Sequence, residues 1–150
     1  MQASNERAVK VLNSLIETTL DSANGYKDAA EAADSPELKA TFTERAKRRQ
    51  DLARQLQEEV RSFGGEPETD QSLVGKAHNK FAELRGKLMG NSDQGVVDEV
   101  ERGEDVIKAK FEKAMENADL PSSARELVST AYGEIKAQHD DISRLKHQLH

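Results

Sequence analysis

The chain has 150 residues, and with 22 basic against 28 acidic side chains it carries a formal charge of -6, a balance that repels phosphate backbones and argues against nucleic acid as a partner. There is no cysteine, which excludes disulfides, thiol redox chemistry and thiolate metal sites. Charged residues make up 33 % and aromatics only 4 % of a length that can bury one core without staples, so residues 1–150 are expected to form a single, all-α domain.

From Ser4 to Ala33 apolar residues recur at Ala8, Leu12, Leu15, Ile16, Leu20, Ala23, Tyr26 and Ala30, the three-and-four spacing of a first helix with one buried face. Asp34, Ser35 and Pro36 end it. Ser35 can cap the next helix, and Pro36 suits a first-turn position that needs no amide donor. The second helix carries Leu38, Phe42, Ala46, Leu52, Ala53, Leu56, Val60 and Phe63, and stops at Gly64 and Gly65.

After the polar loop Glu66 to Gln71, a shorter amphipathic helix is expected from Leu73, Val74, Ala77, Phe81, Leu84 and Leu88. About 18 residues at ~1.5 Å each span ~27 Å, enough to cross most of a bundle. Gly90 and Asn91 close it. The third long helix buries Val97, Val100, Ile107, Phe111, Ala114 and Met115, and breaks at Leu120 and Pro121. The fourth begins near Ser122, with Ser123 and Glu126 spaced as a capping box and Leu127, Val128, Ala131, Ile135, Ile142 and Leu145 on one face. Four long helices joined in the middle by a long connection describe a bundle with one crossover, helices two and three parallel, as in ferritin-like folds.

The informative side chains are the polar ones that interrupt the apolar stripes, because an amphipathic helix keeps charge off its buried face. At about 100° per residue, Thr19 faces inward on helix one with Ser22 at the edge of the stripe. Arg49 is central and Arg45 marginal on helix two; Glu104 lies on the stripe of helix three; Gln138 is central on helix four, flanked by Glu134 and His139. All fall near the middle of their helices, so they predict a polar belt at the waist of the bundle: Thr19, Arg45, Arg49, Glu104, Gln138 and His139.

Bundles commonly build metal centres at this level, the di-iron type taking one Glu from each of two helices and a Glu-x-x-His pair from each of the others. Neither Glu-x-x-His pair is present here. Arginines stand on helix two where carboxylate and imidazole ligands belong, and Thr19 stands where helix one would supply its glutamate. The residues therefore point to a metal-free network in which Arg49 or Arg45 pairs with Glu104. The alternative is a reduced iron or manganese site made from Glu104, Glu134 and His139, with oxidase or peroxidase-like activity.

The segments LNSLIETTLDSANGYKDAAE, SPELKATF, QDLARQLQEEVRSFGGEPE, KAHNKFAELRGKLMG, ERGEDVIKAKFEKAM and YGEIKAQHDDISRL together span nearly the whole chain. They make it resemble an uncharacterised bacterial family of ferritin-like four-helix-bundle proteins, a domain of unknown function. The resemblance implies the fold and no particular activity.

His78, followed by Asn79 and Lys80, is similar to the imidazole of histidine phosphotransfer bundles, but Phe81 replaces the glycine expected there and His78 projects to the edge of its stripe. His147 and His150 fall in the C-terminal turn, where positive charge suits the helix dipole. No phosphate loop, dinucleotide turn or nucleophile triad is present, no segment approaches the roughly 18 apolar residues of a membrane span, and no signal peptide is visible. The expectation is a cytoplasmic, non-enzymatic bundle with no cofactor, serving as an interaction or stress-associated protein. It would bind a protein partner not named by the sequence or form a homodimer through surfaces beside the crossover. Phosphotransfer at His78 is a further alternative.

Overall fold

The structure is a computed structural model, which describes residues 3–70 and 92–149. Among the described residues there are four helices: α1 (Ala3–Ala32), α2 (Pro36–Ser62), α3 (Ser92–Met115) and α4 (Ser122–Leu149). The expected crossover helix, with Leu73 to Leu88 and His78, lies outside the described residues. Among the described residues no helix is long and apolar enough to cross a membrane.

The first turn forms as its sequence dictates. Ser35 takes the extended conformation of an N-cap, with φ -66° and ψ 125°, and its hydroxyl accepts from the Leu38 amide at 3.4 Å, while Pro36 opens α2. Asp93, in the first turn of α3, accepts from the backbone amides of Asp34 at 2.7 Å and Ser35 at 3.4 Å. This one carboxylate therefore fixes the start of α3 beside the turn that starts α2.

The far end of α2 closes on glycine. Gly64 adopts φ 80°, and the amides of Gly64 and Gly65 donate to the carbonyls of Arg61 at 2.9 Å and Val60 at 3.1 Å. Gly65 is pressed against α1, where a Cβ would lie 2.7 and 2.8 Å from the two methyls of Val9. Beyond it, Asn13 of α1 grips the chain from both sides, donating to the Glu66 carbonyl at 3.0 Å and accepting from the Glu68 amide at 2.8 Å.

The α3–α4 turn lies at this same end. Arg7 of α1 reaches Asp119 at 3.1 Å, and Ser123 donates to Glu59 of α2 at 3.2 Å. Ser123 therefore lies inside the first turn of α4 with its hydroxyl given to α2, and the capping box expected from Ser123 and Glu126 is not its role. These anchors fix the topology: α2 ends where α3 does not begin, so α2 and α3 are parallel, each antiparallel to its hairpin partner. This is the crossover arrangement expected from the spacing of the stripes.

Apolar side chains gather in two clusters. One is built on Leu12, Leu15, Ile16, Leu56, Val60, Ile107, Phe111, Val128 and Ile135, and the other on Tyr26, Phe42, Ala46, Val97, Val100 and Ile142. Between them, each helix contributes a polar residue to the interior or its edge.

Candidate functional site at the waist of the bundle

Among the described residues Arg49 is the largest fully buried side chain, 2 % exposed, on a helix whose neighbouring inward positions are the small Ala46 and Ala53. Those alanines leave volume for a guanidinium between the apolar clusters. Facing it from α3 is Glu104, 1 % exposed, which lies between Val100 and Ile107 on the same stripe. The two groups meet as a fork on a fork: Arg49 Nη1 donates to Glu104 Oε1 at 2.7 Å and Nη2 donates to Oε2 at 2.9 Å.

The second N–H of each terminal nitrogen is also used. Nη1 donates to Ser22 Oγ of α1 at 2.6 Å, and Nη2 donates to Gln138 Oε1 of α4 at 2.7 Å. One guanidinium thus ties all four helices together. The face of the Tyr26 ring completes the enclosure, with Arg49 Cζ 5.3 Å from the ring centroid.

Electrostatics follow from this geometry. Burial works against the charge on Arg49, but the Glu104 carboxylate outweighs it and holds the guanidinium above its ordinary value. Burial, reinforced by the negative charge of Glu104, pushes the Tyr26 phenol well above its usual range, so it stays neutral. A buried pair of this kind gains little net stability over a well-packed apolar core, because each ion gives up several kcal/mol of hydration. Such a pair can instead fix register, since sliding α2 against α3 would part the two forks.

The other residues predicted for the belt separate from this centre. Thr19 is fully buried, yet its hydroxyl donates back to the Leu15 carbonyl at 2.7 Å within α1. Arg45 lies at the rim, with Nη2 3.5 Å from Asp141 of α4 and Cζ 6.0 Å from the Tyr26 centroid. Glu134 is exposed and pairs with Arg48 at 2.7 Å. His139 is half-buried on the α3–α4 side: Nε2 lies 2.6 Å from Asp105 and Nδ1 3.2 Å from Asp140. It takes no part in the Arg49 network, because Ile135 and Ile142 claim the inward face of α4 on either side of Gln138. Periodicity leaves two members of the network, Tyr26 and Ser22, outside the belt, since an aromatic on an apolar stripe reads as core and a serine at its edge reads as boundary.

This donor set does not fit the di-metal centre of ferritin-like bundles. Both oxygens of the inward carboxylate face a guanidinium, whose positive charge would repel a metal ion at the same place. Glu104, Glu134 and His139, the trio considered for a reduced site, are held by Arg49, Arg48 and Asp105 respectively. Among the described residues no three His, Cys, Asp or Glu side chains are grouped as a metal site requires.

Comparison with known proteins agrees with the architecture. A family model described as a domain of unknown function, DUF2383, matches residues 7–117. The chain belongs to this DUF2383 family. Among solved structures, a point mutant of Dps1 from Mycobacterium smegmatis superimposes with a TM-score of 0.79 over 97 % of this chain and 99 % of that one, at 11 % identity. At that identity the likeness shows a shared ferritin-like four-helix fold and nothing about chemistry. No curated protein matches this DUF2383 chain by sequence.

Proposed function

We propose that this chain is a non-catalytic member of the ferritin-like architecture, in which a permanent ion pair at the waist takes the structural place of a metal centre. In this reading it is a cytoplasmic binding or stress-associated protein, working through its outer surface on a protein partner or on a second copy of itself. The observation that supports it is the pairing of Arg49 with both oxygens of Glu104. An arginine is always protonated, so it supplies without a cofactor the positive charge that a buried carboxylate needs.

The test is an anaerobic calorimetric titration of the purified chain with ferrous and with manganous ions, followed by elemental analysis after desalting. The expected result is no saturable heat and no retained metal, with ferrous ion oxidised no faster than in buffer. Stoichiometric retention, lost in Glu104→Ala, would replace this proposal by the metal-site reading.

A further inference from the structure

The outer seam between α3 and α4 carries a row of polar contacts whose acceptors stand on α3 and whose donors stand on α4. Glu112 Oε2 accepts from the Tyr132 hydroxyl at 3.0 Å, Asp105 Oδ1 lies 2.6 Å from His139 Nε2, and Glu101 accepts from Ser143 Oγ at 2.9 Å and Lys146 Nζ at 2.8 Å. The intervals match on the two helices: Glu112, Asp105 and Glu101 are seven and four residues apart, and so are Tyr132, His139 and Ser143. Antiparallel helices with matched intervals of two turns and one turn hold the three rungs level.

The rungs differ in how they answer to pH. Desolvation and the Glu112 carboxylate raise the Tyr132 phenol, and the hydrogen bond to Glu101 raises the Lys146 ammonium, so both keep their protons through the neutral range. The middle rung is an imidazole, which changes charge within that range. Carboxylates stand at both of its nitrogens: Asp105 of α3 at Nε2, and Asp140 of its own helix at Nδ1, 3.2 Å away. Only the imidazolium has a proton for each; a neutral ring has one N–H and must turn a lone pair on one carboxylate. The two carboxylates are not equivalent, because Asp140 also receives Lys136 Nζ at 3.3 Å, whereas the shorter contact to Asp105 crosses between helices. The other charges around the ring are Glu101 and Lys108 on α3.

We propose that His139 is a proton-operated clasp on the α3–α4 hairpin: doubly protonated, it ties α3 to α4 through an ion pair with Asp105, and on losing the Nδ1 proton it keeps only a neutral Nε2–H bond there and releases Asp140 to Lys136. A charge-assisted hydrogen bond is roughly twice as strong as a neutral one, so the middle rung weakens while the rungs on either side hold. The hairpin loosens locally and the fold persists. The inward face of α4 at this level is taken by Ile135, Gln138 and Ile142, so the clasp works outside the Arg49 network.

The experiment follows the ring nitrogens of His139 in the full chain by proton–nitrogen correlation from about pH 5 to about pH 9, with amide hydrogen exchange measured in parallel. The midpoint should lie above the ordinary 6.5, and above it Nδ1 should lose its proton while Nε2 keeps one. Amide protection in α3 and α4 around the middle rung should fall by about 2- to 10-fold, the equivalent of weakening one hydrogen bond, with α1 and α2 unchanged. Asp105 is exposed, so Asp105→Asn should fold, lower the midpoint and abolish the change in protection. Asp140→Asn should lower the midpoint but leave Nε2 as the nitrogen that retains its proton. Loss of the proton from Nε2 in wild type would overturn the proposal, as would protection that does not change through the titration or that changes equally in all four helices.

Discussion

Replacing Arg49 by methionine removes one half of a pair whose members are 2 % and 1 % exposed. Four hydrogen bonds of 2.6–2.9 Å disappear with the guanidinium, two to Glu104 and one each to Ser22 and Gln138. Ser22 and Gln138 are only partly buried and can turn to water, but Glu104 cannot. Stranding a buried charge in this way costs about 3–5 kcal/mol. At about 2–4 °C per kcal/mol for a domain of this size, the melting temperature at neutral pH should fall by roughly 6–20 °C. Adding Glu104→Leu to Arg49→Met removes the stranded charge and should restore stability to within about 1 kcal/mol of wild type, or above it. Urea unfolding of the three proteins followed by circular dichroism decides the matter. A single variant within about 1 kcal/mol of wild type, or a double variant no better than the single, would refute the assignment of the pair as the organising contact of the waist.

Further predictions concern the hairpins and the α3–α4 contact. Gly103 and Gly133 lie inside helices, and a Cβ added at either would meet nothing within 4 Å, so Gly103→Ala and Gly133→Ala should each raise the urea unfolding free energy by about 1 kcal/mol. Gly65→Ala should do the opposite, costing about 1–3 kcal/mol by the same assay, because its methyl would collide with Val9. Partial burial opposes the charge on His139, but its hydrogen bonds to Asp105 and Asp140 outweigh this and hold the imidazole above its ordinary value. The stability it contributes is therefore fully present below the unfolded value of 6.5 and lost as pH rises through the folded one. The stability difference between wild type and His139→Gln should accordingly be larger near about pH 5.5 than near about pH 9; an equal difference at both would remove the imidazolium from the account.

Much of this arrangement is legible in the residues themselves. Arg49 can be turned inward from sequence because Ala46, Ala53 and Leu56 stand three, four and seven positions away, and Glu104 because Val100 and Ile107 bracket it. Ser35 with Pro36, and Gly64 with Gly65, mark helix ends through backbone chemistry that few other residues satisfy. What projection cannot supply is the direction of a long side chain once it leaves its helix. Glu134 and His139 each sit one position from an inward neighbour, and their tips turn outward to Arg48 and Asp105, partners on surfaces where periodicity carries no signal. Ser123 has the spacing of a cap, but the helix begins at Ser122 and the hydroxyl finds Glu59, a contact between distant segments. Tyr26 hides its role because a ring that stacks on a guanidinium occupies the same stripe position as one that packs on leucine.

Arg49 donates to both oxygens of Glu104, and the most direct test of the proposed metal-free waist is a crystal structure of the chain grown with manganous ion in excess, with an anomalous difference map calculated at the waist. No peak is expected within bonding distance of the Glu104 carboxylate, and the fork between Arg49 and Glu104 should be intact. A manganese peak on Glu104, with Arg49 displaced from it, would contradict that claim.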